Sequence, residues 1–171
     1  MHLIYCFDLN WPFIRQESVM KLTSFTDYTL RTLMYLGISQ DRLVTISDIA
    51  ELHLISKNHL MKVVHQLGMS GMVETVRGRN GGLRLKVDPA ALNIGAIVRQ
   101  TETDFYMAEC FNRESNTCVC SPACELKKVL GSATAAYLAV LDSISLHDLI
   151  AQDGSKKYSG NNPIFKERHC V

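Results

Sequence analysis

The apolar period of this chain changes from helical to two near residue 72, directly after two short helical segments, and that change narrows the possible folds more than any other feature. Residues 72–76 and 83–87 read as strands, the second with Leu83, Leu85 and Val87 inward and Arg84 and Lys86 outward. Between them lies RGRNGG at 77–82, whose three glycines permit positive φ and close approach to another molecule. Upstream, Thr45 and Asp48 have the spacing of a capping box, followed by a short helix with Ile46, Ile49, Ala50 and Leu52 inward. His53, Leu54 and Ile55 make a turn. Ser56 caps a second helix that runs to about Met69. Its inner face is Leu60, Val63, Val64 and Leu67, and its outer face is Lys57, Asn58, His59, Lys62, His65 and Gln66. Two short helices across a tight turn, then a hairpin, describe a winged helix-turn-helix.

Helices dominate the rest. Leu30, Leu33, Met34 and Tyr35 recur at helical spacing within 23–39, and Asn93 caps a short helix through Ile94, Ile97 and Val98. Residues 125–150 read as the longest helix. Leu126, Leu130, Ala133, Tyr137, Val140 and Ile144 form an a/d seam along it, the mark of packing on a partner helix. The expected fold class is therefore mainly α with a small β-hairpin: a winged helix-turn-helix head over 20–92, a cysteine loop and long dimerisation helix over 93–150, and a flexible tail over 151–171. Residues 1–19 fit no periodic pattern and are expected to be an extension preceding a natural start at Met20.

A chain of 171 residues can bury a real core. Its formal net charge of +1 names no partner, but the distribution does. Between Ser56 and Val87 stand Lys57, Lys62, Arg77, Arg79, Arg84 and Lys86 against the single acid Glu74. Concentrated positive charge is the footprint of a phosphate-binding surface. Recognition helices present their N-terminal residues to base edges, which points to Ser56, Lys57, Asn58, His59 and Lys62. The wing, with Arg77, Arg79, Asn80, Gly81, Gly82 and Arg84, is expected on phosphates or in the minor groove of double-stranded DNA. His53, His59 and His65 read as surface or DNA-facing.

No apolar run is long enough to cross a bilayer, and residues 1–19 make a poor signal peptide, with Asp8, Asn10 and Pro12 in their middle. The expectation is a cytoplasmic protein with no membrane partner. In a reducing compartment, clustered cysteines are read as metal ligands or redox groups. Four of them fall within ECFNRESNTCVCSPAC at 109–124. Seven residues separate Cys110 from Cys118 and five separate Cys118 from Cys124, with Pro122 stiffening the approach to Cys124. Zinc sites favour paired C-x2-C knuckles, and this segment has only the C-x-C of Cys118 and Cys120, with no histidine between Cys110 and Cys124. An iron–sulfur cluster, a thiol switch and zinc all stay open on spacing alone.

Motifs along most of the chain carry a family likeness: MKLTSFTDY at 20–28, ISKNHLMKVV at 55–64, VRGRNGGLRL at 76–85, ECF at 109–111 with Cys118, and PACELK at 122–127. From Met20 to about Ile150 the chain resembles the Rrf-two type of winged-helix regulators, and among them the nitric-oxide-sensing iron–sulfur repressors. The resemblance implies a homodimer that binds an inverted-repeat operator and represses genes answering nitrosative stress, with nitric oxide as signal. It implies an iron–sulfur cluster, 4Fe–4S or 2Fe–2S, on Cys110, Cys118 and Cys124. In some members an aspartate reaches across the dimer as fourth ligand, and the matching position is Asp27. Beside that stands Asp27 as an acid stabilised by a helix dipole. Relatives that sense cluster supply have a histidine three residues after the third cysteine, where this chain has Lys127. Cys120 also departs from the pattern, as a spare thiol or an alternative ligand. A regulator sensing iron–sulfur status or thiol redox state is the second reading. A cluster-bearing redox protein is the third, and no Ser/His/Asp constellation, phosphate loop or carboxylate pair marks an enzyme.

Overall fold

The computed structural model describes residues 21–120 and 124–153. The expectations for 1–19, Met20, Pro122 and the tail beyond Asp153 lie outside the described residues. The head begins with α1 (Ser24–Ile38), capped by the Thr23 hydroxyl, which accepts from the Thr26 amide at 3.3 Å. Its buried face is partly threonine. The Thr29 and Thr32 hydroxyls donate to the carbonyls of Phe25 and Tyr28 at 2.8 and 2.7 Å, so neither enters the core unsatisfied. In α2 (Ile46–His53) the expected Thr45–Asp48 capping box is present in both directions. The turn after it rests on Leu54 in the left-handed region, with φ of 54°. Ser56 caps α3 (Lys57–Met69), and Leu60, Val63, Val64 and Leu67 are its buried residues, as the period predicts.

The wing pairs β1 (Val73–Val76) with β2 (Gly82–Leu85) in antiparallel register, Val73 opposite Leu85. A bridge absent from the sequence reading adds Val44 to this edge. Its amide donates to the Leu83 carbonyl at 3.0 Å, and the Leu83 amide returns the bond at 2.7 Å. Gly78 alone of the wing glycines has positive φ. Gly81 is needed for space instead, because a Cβ there would strike the Val76 carbonyl oxygen.

A 3-10 turn at Pro89–Ala91 leads into α4 (Ile94–Thr101). A second 3-10 turn, Glu109–Phe111, opens the cysteine segment, and α5 (Glu125–Asp142) follows. The expected helix over 125–150 is not continuous. It stops at Asp142, and α6 (Leu146–Asp153) starts in a new direction, packing on α1. The Ser145 hydroxyl and amide donate to the Asp148 carboxylate at 2.6 and 2.8 Å, and the Asp148 amide donates back to the hydroxyl. This is a capping box of the kind seen at Thr45. Leu146 is fully buried, and its amide donates to the Leu92 carbonyl at 2.7 Å. Burial of an aliphatic side chain and a satisfied cap outweigh helix continuation.

The apolar residues left exposed on α5 are not the set expected along its seam. No residue of α5 is buried. Leu130, Tyr137 and Ile144 are half-buried, whereas Leu126, Val129 and Val140 are 64%, 63% and 65% exposed. With the exposed Ala133 and Ala136 between them, these five residues follow 3-4 spacing on one face.

The far end of α5 is tied to α4. The Arg99 guanidinium donates to both Asp142 oxygens, one bond at 2.7 Å, and holds that carboxyl below the usual carboxylate range. The Asn93 amide donates to the Asp142 carbonyl at 2.6 Å. Gly95 leaves room for this junction, since a Cβ there would meet the Asp142 carboxylate and lie 2.9 Å from its amide nitrogen. Gly95→Ala is expected to cost about 1–3 kcal/mol through overpacking. Gly68→Ala, where a Cβ meets nothing within 4 Å, is expected to shift stability the other way through helix propensity. Urea titration of the two variants checks the opposite signs.

Candidate nucleic-acid interface and cysteine cavity

The face of α3 turned away from the core is exposed and largely polar. Lys57, Asn58, Met61, Lys62, His65 and Gln66 are all exposed, and the helix carries no acid. The Ser56 hydroxyl accepts from the His59 amide at 3.3 Å, so it is occupied as a cap at the helix entrance. His59 is exposed but its ring stacks on Tyr28 of α1, centroids 6.1 Å apart at 28°. That contact turns it toward α1 and away from the Lys57–Asn58 face. His53 departs from the expected surface position. It is half-buried, edge-on to the Tyr35 ring at 6.3 Å, and burial lowers its pKa because desolvation penalises the imidazolium.

At the wing tip Arg77, Arg79 and Asn80 are exposed, and Gly81 and Gly82 are half-buried at the base of the turn. Among the described residues neither Arg77 nor Arg79 forms an ion pair within the chain. Arg84 does: its guanidinium meets Glu74 across the hairpin at 2.8 Å. The sequence-predicted contacts therefore divide into two exposed wing cations and one already neutralised.

The cysteines sit where the loop returns to α5. Cys110 is the middle of the 3-10 turn, and the Glu109 carboxylate closes the loop by accepting from the Thr117 hydroxyl and amide at 2.9 and 3.2 Å. The Cys118 amide donates to Asn116 Oδ1 at 3.0 Å. Cys124 is the N-cap residue of α5, and its side chain makes no capping bond. Lys127 Nζ lies 5.7 Å from the Phe111 ring centroid, joining the loop to the first turn of the helix. Cys110, Cys118 and Cys124 line one open cavity of about 710 Å³, and Cys120 does not line it. Arg113 and Lys127 make its wall cationic, while Lys128 beside them is paired with Glu125 at 2.7 Å. Among the described residues no three Cys, His, Asp or Glu side chains are gathered closely enough to hold a metal ion. Asp27 stands apart in the first turn of α1, paired with Arg31 at 2.9 Å.

Residues 22–152 match the family described as Rrf2, iron-dependent transcriptional regulators. The chain belongs to the Rrf2 family. It is 54% identical over 140 residues to the HTH-type transcriptional regulator NsrR of Bacillus licheniformis, covering 81% of this chain and 98% of that one. With NsrR of Bacillus subtilis it shares 55% identity over 132 residues, 77% of this chain and 90% of the relative. Among solved structures it is similar to CymR, described as the global cysteine regulator of B. subtilis, with a TM-score of 0.63 and 26% identity over 78% of this chain and 98% of that one. IscR of T. potens shares the fold, with a TM-score of 0.62 at 24% identity over 80% of this chain and 90% of that one. This Rrf2 protein is a transcriptional regulator with a helix-turn-helix head, and not an enzyme. Among its described residues no helix is long and apolar enough to cross a membrane.

Three features of the Rrf2 head and loop escaped the sequence reading. Tyr28 stacks on His59 of α3, a contact visible only once α1 and α3 pack together. Met61 lies on the outer face among polar residues. The cationic wall arises because the loop folds back over Lys127.

Proposed function

We propose that this protein is a cytoplasmic, homodimeric repressor that holds an iron–sulfur cluster on Cys110, Cys118 and Cys124 and leaves an inverted-repeat operator when nitric oxide is present. The observation that carries this reading is the shared cavity: three of the four loop cysteines line it and Cys120 does not. The donor set fits the group. Thiolates are soft ligands for iron, and the net negative charge of a thiolate-bound cluster would be offset by Arg113 and Lys127 on the cavity wall. When bound, the cluster supplies iron that nitric oxide attacks.

The chain's own part is mechanical. Cys124 begins α5, Lys127 contacts Phe111 beside Cys110, and Asp142 at the other end of α5 is held by Arg99 and Asn93 of α4, which packs on α1 of the head. A loop clamped by three thiolates fixes the start of α5, and the Asp142 junction passes that position to the head. The exposed stripe from Leu126 to Val140 suits a second copy, so two heads take a common register on successive half-sites. Release of the loop removes the register. Asp27 serves either as a fourth ligand from the partner or as the ion-pair partner of Arg31.

Anaerobically prepared protein is expected to be coloured and to bind its operator. Nitric oxide should bleach the colour and weaken binding roughly 5–150-fold, the span of ordinary allosteric coupling. A DNA-shift titration at one fixed salt concentration checks this, because phosphate contacts make affinity salt-dependent. Equal binding by the treated and untreated forms removes nitric oxide as the signal. The exposure of Cys118 and Cys120 favours thiol redox sensing as the second reading. Binding that responds to peroxide and thiol reductant but not to nitric oxide would select it.

A further inference from the structure

On the outer face of α3, one apolar side chain stands among polar ones. Met61 is 50% exposed, while the helix contributes Leu60, Val63, Val64 and Leu67 to the core. Met61 is therefore not part of the buried core. Helical spacing sets it beside Lys57 and Asn58, four and three positions earlier, and His65, four positions later. Lys57, Asn58, Lys62 and His65 are all exposed, so Met61 sits inside the cationic patch and not at its margin. The other exposed large apolar residues near α3 are differently placed: Leu54 lies in the preceding turn and Met69 ends the helix.

We propose that Met61 reads the C5-methyl group of a thymine in the major groove. The inference rests on α3 being the base-reading helix. Thymine is the one base that offers an apolar group in that groove. A thioether side chain has three rotatable bonds and a polarisable sulfur, so it can follow a methyl group closely. Facing guanine or cytosine instead, it would leave the O6 and N7 acceptors or the N4 donor desolvated without a partner. Lys57 and Lys62 supply attraction that does not depend on sequence, and Met61 supplies discrimination. The stacking of His59 on Tyr28 leaves this part of the face to Asn58 and Met61.

The test removes one methyl at a time. Coloured protein, prepared anaerobically, selects its preferred sites from random duplexes. Each thymine of the selected site is then replaced by deoxyuridine, symmetrically in both half-sites, and dissociation constants are measured at one salt concentration. One thymine position is expected at which uracil weakens wild-type binding about fourfold per half-site, the value of one buried methyl-sized group. Met61→Ala should bind thymine and uracil equally at that position while keeping its colour, since an exposed alanine suits the helix. No uracil-sensitive position, or sensitivity that survives in Met61→Ala, overturns the proposal. If the coloured protein selects no duplex, the base-reading role of α3 falls, and Met61 with it.

Discussion

Cys110→Ala, Cys118→Ala and Cys124→Ala are each expected to yield colourless protein whose DNA binding no longer responds to nitric oxide, whereas Cys120→Ala keeps both properties. The first three thiols share the cavity and Cys120 lies outside it. Removing one of three thiolates would leave the proposed cluster site one donor short, and loss of even supporting groups around a metal costs 10–100-fold in affinity. None of the four cysteines belongs to the buried core, so all four variants should fold with thermal midpoints near that of the metal-free parent. Arg79→Ala serves as the opposite control: it removes a wing cation, touches no thiol, and should keep its colour while binding DNA more weakly with a salt slope smaller by about 1. Iron content, visible absorption and DNA shift on one set of samples check the pattern. A colourless Cys120→Ala protein would place Cys120 among the ligands and displace one of the other three.

The head was legible because its apolar stripes all face one core. The inner face of α3 obeys a single period, and its outer face is free to carry charge, so Leu60, Val63, Val64 and Leu67 separate cleanly from Lys57, Asn58 and Lys62. The caps at Thr45 and Ser56 involve residues three positions apart, so local spacing was sufficient. Contacts between distant segments were not legible. The Val44 bridge to Leu83 and the burial of His53 beside Tyr35 depend on how α1, α2 and the wing come together.

The region after the wing misled for a different reason. One helix there, α5, has a half-buried side and an exposed side, and their apolar stripes overlap. Leu130, Tyr137 and Ile144 are half-buried and Leu126, Val129 and Val140 are exposed, yet a mixture of the two sets still gives 4-3 spacing. The cavity had partial signals. Cysteine spacing separated Cys110, Cys118 and Cys124 only with the help of family motifs, and the cationic wall needed the fold. Ser145 and Asp148, by contrast, repeat the pattern of Thr45 and Asp48, so the end of α5 carried a readable mark. An unbroken heptad pattern masked it.

That break can be tested through Leu146. In a single helix over 125–150 its side chain would be one of many on a long exposed rod, and truncation would change stability by no more than about 0.5 kcal/mol. In the structure Leu146 is fully buried, at the point where α6 returns to α1. A Cβ placed on Gly37 would lie 3.6 Å from Leu146 Cδ2 and 3.3 Å from Ile150 Cδ1, so the two helices are already in close contact there. Shortening Leu146 leaves a cavity that this contact cannot readily fill, and Leu146→Ala is expected to cost about 2–5 kcal/mol. The loss should spread, because the Leu146 amide bonds to Leu92 and the Ile94 amide to Ile144, which places the start of α4 beside the break. With that junction loosened, the Asp142 anchor for α5 weakens as well. Leu126→Ala supplies the contrast: at 64% exposure it should leave the unfolding free energy of the metal-free monomer within about 0.5 kcal/mol of the parent. Urea unfolding at protein concentrations low enough to hold the monomer separates the two variants. Equal small effects would restore the continuous helix.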